Sequence, residues 1–182
     1  MNNPTTSYDD LLFSVRRSIR YHDYRQQFYT SLGNWTAFLS LILGSGVIAV
    51  IAFKLGSNTD FLWIQIFLAF LISLFNGIAL VFRVSTKARE HWELRNAFID
   101  LEKELLGADR NEDIAPFTQK RLLLERTEPK PLRVLDLMCH NELCYATYSD
   151  NQLKGKIYKI KWHQKMLANF LPYKELKPKL AN

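Results

Sequence analysis

The chain has 182 residues, enough for one domain of ordinary size, with 48% hydrophobic and 13% aromatic residues. Its formal charge of +6 is uneven: residues 151–182 hold eight Lys and one Glu, while the rest carry 16 Lys and Arg against 17 Asp and Glu. The basic balance therefore belongs to a C-terminal tail, which excludes reading the whole surface as a nucleic-acid footprint, and two cysteines, Cys139 and Cys144, exclude a disulfide framework.

Ser7 to Asp10 make a variant of the capping box, with Asp in place of the usual Glu. The helix that follows, over 8–33, carries Leu12, Val15, Ile19, His22, Gln26 and Tyr29 at alternating three- and four-residue spacing. It runs into a first uncharged stretch, WTAFLSLILGSGVIAVIAF (35–53), with a bend expected at Gly33. A second stretch, FLWIQIFLAFLISLFNGIALVF (61–82), is also uncharged. At ~1.5 Å per residue the two give roughly 28 and 33 Å, against a hydrocarbon core of about 30 Å. Two uncharged runs of this length rarely occur together outside membranes, which sets aside a pair of soluble core helices.

Neither stretch reads as a cleaved signal, because the first follows 34 residues rich in charge and aromatics. The connector Lys54 to Asp60 is short, which predicts a tight antiparallel hairpin. Arg16, Arg17, Arg20 and Arg25 precede it and Arg83, Lys87 and Arg89 follow, while the connector has only Lys54. The positive-inside rule then puts both termini in the cytoplasm, with Trp35 and Trp63 near opposite faces.

Two polar features interrupt the spans. In the first, Ser45, Ala49 and Ala52 make a small-residue face suited to membrane helix packing. The neighbouring Gly44-Ser45-Gly46 lies inside the span and is no phosphate loop. In the second, Gln65 and Asn76 fall ~20° apart around a helix, with Ala69 and Ser73 on the same side and Gly77 at its edge. Such a face needs a protein partner: it packs against a helix, or it lines a water-filled path in an assembly.

Without Pro or Gly between Ile78 and Leu106, the second span is expected to continue as one helix to Gly107, with Leu94, Phe98, Leu101 and Leu105 as its apolar stripe. A polar connection over 109–115 leads to a short helix with Pro116 in its first turn. Glu128-Pro129-Lys130-Pro131 breaks it, and a further helix follows with Leu132, Leu135, Cys139, Leu143 and Ala146 on one side. The tail, 149–182, alternates Tyr158, Ile160 and Trp162 with lysines as a strand would, and fits a helix only partly. A solvated basic tail, contact with an anionic inner leaflet and binding of a phosphate-rich ligand all remain open for it.

Cys139, His140, Glu142 and Cys144 are all metal-ligand types, but His140 and Cys144 share a helical face that Cys139 leaves, and no second cluster completes a tetrahedral site. We expect no metal and no cofactor. His22 sits on the seam of the first helix as a hydrogen-bonded histidine. His91-Trp92-Glu93-Leu94 is not HExxH. No nucleophile–base pair stands out, so the sequence offers nothing positive for an enzyme.

The segments SIRYHDYRQQFY (18–29), LILGSG within the first span, and ERTEPKPLRVLDLMCHNEL (125–143) bracket the two-span hairpin in a recurring order. This arrangement resembles the SLATT family, the SMODS and SLOG-associating two-transmembrane effector domains of bacteria, over residues 8–148. The resemblance implies an all-α membrane protein: a two-transmembrane hairpin extended into the cytoplasm, with additional cytoplasmic helices over 83–148. It also implies an effector of bacterial anti-phage or conflict systems. Such proteins are thought to oligomerise and breach the inner membrane when a nucleotide-signalling partner triggers them. The family assigns no catalytic residues. Arg20, Tyr21, His22 and Arg25, with Pro129, Asn141 and Glu142, match its recurring cytoplasmic motifs and are read as structural or regulatory, with Arg20 or Arg25 pairing with Glu142. Membrane lipid and further copies of the chain are the expected partners, and direct nucleic-acid binding is not expected. A non-pore adaptor that recruits a partner protein is the alternative, and a membrane-bound enzyme the third.

Overall fold

The computed structural model describes residues 7–52, 59–110, 113–173 and 179–180; side chains of 49–52, 59–62 and 150 fall outside the description. The described residues are almost wholly helical. Helix α1 is Tyr8–Ala52, α2 Thr59–Val81, α3 Val84–Gly107, α4 Ala115–Thr127, α5 Arg133–Thr147 and α6 Trp162–Met166, with a 3-10 turn over Asp150–Gln152. The chain divides into two units, one of Met1–Arg25 with His91–Asn182, the other of Gln26–Glu90.

In the first unit, the early part of α1 packs on α3. Leu11 and Val15 meet Phe98, Leu101 and Leu105, with Ile19, Ile114, Phe117 and Leu124 around them. Both sets repeat at three- and four-residue intervals, the spacing that puts side chains on one helical face. The α1 stripe centres on Leu11, fully buried, with Leu12 only half-buried beside it. Helix α4 begins with Pro in its first turn, and Glu128 ends it in extended backbone, as the EPKP segment demands. A second core joins Tyr21 of α1, Val134, Leu135 and Cys139 of α5, and Ala168. Cys144 is buried on α5, whereas Ala146, expected on that side, is exposed.

The tail is neither the alternating strand nor the free solvated segment that composition leaves open. Among the described residues its strand character is one antiparallel bridge, Tyr158 to Leu180, and its helix is the five-residue α6. Ile160, Ala168 and Tyr173 pack in the second core. Residues 174–178 lie outside the described residues.

In the second unit, α1 runs unbroken through Gly33, so the expected bend is not a break. The missing side chain there leaves room for Val84, whose Cγ1 would stand 3.6 Å from a Cβ. Among the described side chains of α2 the half-buried positions are Gln65, Leu68, Leu71, Ile72, Phe75 and Ala79, again a helical stripe. A Cβ on Gly46 would lie 3.7 Å from Leu68, so Gly46, and not the exposed Ser45, is where α1 lets α2 approach. Lys54 to Asn58 of the expected connector lie outside the described residues, and Thr59 and Asp60 already belong to α2.

The one long helix expected beyond Phe82 is corrected by the structure. α2 ends at Val81, and Arg83 takes a left-handed conformation, φ 49°, before α3 begins. That conformation costs an L-residue roughly 1–2 kcal/mol. It occurs at the first charged residue after the uncharged stretch, where the chain closes one helix and opens another without Pro or Gly. Two long helical runs, within Tyr8–Ile48 and Trp63–Gly107, are long and apolar enough to cross a membrane, and none of the residues in the most apolar 18-residue window of either is buried.

Candidate functional site

The residues singled out on the early part of α1 each find a partner from later in the chain. Arg20 donates to Glu142 Oε1 at 3.2 Å, and the Tyr24 hydroxyl donates to Glu142 Oε2 at 2.8 Å. Of the two arginines proposed for Glu142, Arg20 makes the pair. Arg25 instead donates to the Asn169 carbonyl at 2.8 Å and to its side-chain oxygen at 3.2 Å. Arg16 pairs with Glu102 at 2.6 Å and Arg17 with Asp136 at 3.2 Å. This row of arginines is thus a set of ties to α3, α5 and the tail. The Tyr21 hydroxyl accepts from the Leu132 N–H at 3.0 Å, closing the start of α5 onto α1. Burial pushes the Tyr21 phenol above its ordinary value, against the lowering effects of that bond and of Arg25. The bond to Glu142, with burial second, pushes Tyr24 up to about 12.

Asn141 grips the tail from both sides of its amide. Its Nδ2 donates to the Tyr158 carbonyl at 2.7 Å, and its Oδ1 accepts the Tyr158 N–H at 2.8 Å. A side-chain amide here does for an isolated segment what a neighbouring strand would do. His140 adds a contact to the Lys156 carbonyl at 3.0 Å. Between α5, Tyr24 and the tail lies a cleft of about 350 Å³, lined by Tyr24, Met138, Asn141, Glu142, Tyr145, Tyr158 and Lys165 among others.

His22 is buried completely, and its Nδ1 lies 2.9 Å from Nδ1 of His91, itself 2% exposed. Phe98 stacks on His22 with an interplanar angle of 17°, and Tyr21 meets both imidazoles edge-on. On the far side His22 Nε2 is 3.2 Å from Glu128 Oε1, too poorly aligned to count as a hydrogen bond for either atom. Glu128 also lines a cleft of about 250 Å³ with Arg17, Tyr21, Glu125, Pro129 and Asp136. The seam spacing of α1 points to His22, whereas nothing in the sequence reading points to His91. Its signal is the heptad spacing: His91 precedes Phe98 by seven residues and so shares its helical face.

Burial pushes the Cys139 thiol up to about 12, with Asp136 and Glu142 adding to the effect, so it is neutral and packed. Cys144 Sγ sits 3.4 Å from His140 Nε2. Among the described residues no three His, Cys, Asp or Glu side chains are grouped to hold a metal ion.

On α2, Ala69, Ser73, Asn76 and Gly77 are exposed, while Gln65 is half-buried on the edge of the inward stripe. The five therefore do not form a single outward stripe. Asn76 Nδ2 donates to the Ile72 carbonyl at 2.9 Å within its own helix, and around Gly77 nothing approaches within 4 Å. Ser45 likewise bonds its own helix, at the Ile42 carbonyl, 2.7 Å away. The Ala49 and Ala52 side chains lie outside the described residues.

The chain matches no family model, no curated protein and no solved structure.

Proposed function

We propose that the chain is a two-span protein of the bacterial inner membrane, with both termini cytoplasmic, whose spans form an antiparallel hairpin. The absence of buried residues from both apolar windows supports it, since a soluble core helix would bury its apolar face. Gly33 faces Val84 while Gly46 faces Leu68, so chain positions run in opposite directions, as a hairpin requires.

Its function, on this reading, is that of an effector that assembles in the membrane and breaches it, in keeping with the resemblance to the SLATT family and with a nucleotide-signalling partner as trigger. The observation that carries the reading is the exposed run Ala69, Ser73, Asn76 and Gly77 on α2. One Asn76 donor is used within the helix, and the rest of that amide is too polar for lipid, so a second protein surface must meet it. One hairpin cannot enclose a water path, hence several copies are needed. Purified protein in liposomes should release small ions, and Asn76→Leu should reduce that release. Undiminished release would remove that amide from the path.

The adaptor reading draws support from the cleft around Tyr24, Asn141, Glu142 and Tyr145, which has the size of a ligand or side-chain site. It predicts activity that survives exchange of the spans for an unrelated hairpin.

A further inference from the structure

We infer that residues 157–171 form a docking surface for an anionic lipid bilayer, an inference that rests on the membrane reading above. The segment has two sides. Ile160 and Ala168 pack in the second core, Asn141 holds Tyr158, and Arg25 holds Asn169. The opposite side is apolar and open: Trp162 is 73% exposed, Met166 69% and Phe170 62%, at four-residue intervals. Leu167 and Leu171 extend it.

Charge decides what covers this surface. From 151 to 173 the sequence holds Lys154, Lys156, Lys159, Lys161 and Lys165 and no Asp or Glu. Lys159, Lys161 and Lys165 are exposed around the apolar side chains. A purely apolar protein contact would leave those ammonium groups without counter-charges, whereas an anionic bilayer accepts both components, Trp at the headgroup level and lysines against lipid phosphates. The holding point is consistent: Arg25 stands only ten residues before Trp35, where the first uncharged stretch begins.

The test uses the full chain in nanodiscs of zwitterionic lipid, or of the same lipid mixed with anionic phosphatidylglycerol, each with brominated acyl chains that quench nearby tryptophan. Subtracting the emission of Trp162→Phe isolates Trp162. Quenching of Trp162 is expected in the anionic discs only, with loss at high salt and in Lys159→Gln/Lys161→Gln/Lys165→Gln. Each lysine neutralised should cut the docking equilibrium about fivefold. Equal Trp162 emission in both discs would overturn the inference. So would equal shielding of Trp162 from an aqueous quencher in both, which means that a protein surface covers it. The Trp162→Phe variant retains Trp35, Trp63 and Trp92, and in a Trp92→Phe background its emission comes from Trp35 and Trp63 and reports the spans: their quenching without that of Trp162 refutes the docking surface alone, and its absence refutes the membrane reading itself.

Discussion

His22 and His91 meet Nδ1 to Nδ1 at 2.9 Å in a site that neither ring exposes beyond 2%. One of these nitrogens must donate and the other accept, so the two rings play opposite roles in the contact. The pair binds α1 to α3 at the level of Phe98, and so helps to set how the first unit closes.

Removing one partner should therefore cost more than removing both. His22→Leu leaves His91 without this bond and is expected to lower stability by about 1–3 kcal/mol. A double-mutant cycle with His91→Leu should return a coupling of about 1 kcal/mol or more, measured by denaturation of the detergent-solubilised protein. Strictly additive losses would mean that the contact contributes nothing specific.

Asn141→Ala removes both bonds to the Tyr158 backbone at once. The expected loss is about 1–3 kcal/mol, local to the tail. Hydrogen exchange at the Tyr158 amide should accelerate strongly, while amides in the middle of α3 keep their protection. In Asn141→Asp the Tyr158 N–H keeps its acceptor and exchange should rise less. Unchanged exchange in both variants would show that the core around Ala168 alone holds the tail.

Cys139 is fully buried with its thiol pushed up to about 12, and burial also raises the neighbouring Cys144. Both should resist iodoacetamide in mildly alkaline buffer and react only when the unit is opened by denaturant, as read by mass spectrometry. Rapid labelling of Cys139 in the native protein would contradict its place in the core.

Tyr24 is pushed to about 12 from an ordinary 10.0, and its bond to Glu142 is the largest cause. The folded-state value is raised, so the contribution to stability is complete below pH 10 and is lost as pH rises through about 12. In Glu142→Gln the carboxylate is gone, and the Tyr24 absorbance titration should move back toward the ordinary value. A titration that stays near 12 in Glu142→Gln would assign the shift to burial instead.

Much of the fold is legible in the chain because its signals are periodic and local. Leu101 and Leu105 recur on one face, Pro116 opens a helix and the EPKP segment closes it, and all of these act over a turn or two. What escaped the sequence depends on contacts distant along the chain. No glycine or proline marks the left-handed Arg83, and the tail's path is set by Asn141 and Arg25, which lie on α5 and α1. The row Arg16, Arg17, Arg20 and Arg25 points to topology by its charge, yet those side chains bond to Glu102, Asp136, Glu142 and Asn169. The ion pairs do not conflict with the topology expected from charge, because acidic partners weigh little in the positive-inside rule. On α2 the angular position of Gln65 puts it near Asn76, but ~20° is too little to separate an inward edge from an outward face.

The central claim is that the Ala69–Gly77 face of α2 meets another copy of the chain in the membrane. Site-directed cross-linking tests it most directly. Asn76→Cys and Phe67→Cys, on opposite sides of α2, would each be treated in native membranes with a short bis-maleimide, the native cysteines being buried. The account predicts covalent dimers from Asn76→Cys and little or none from Phe67→Cys. Monomer alone from Asn76→Cys, or equal cross-linking from both positions, would contradict it.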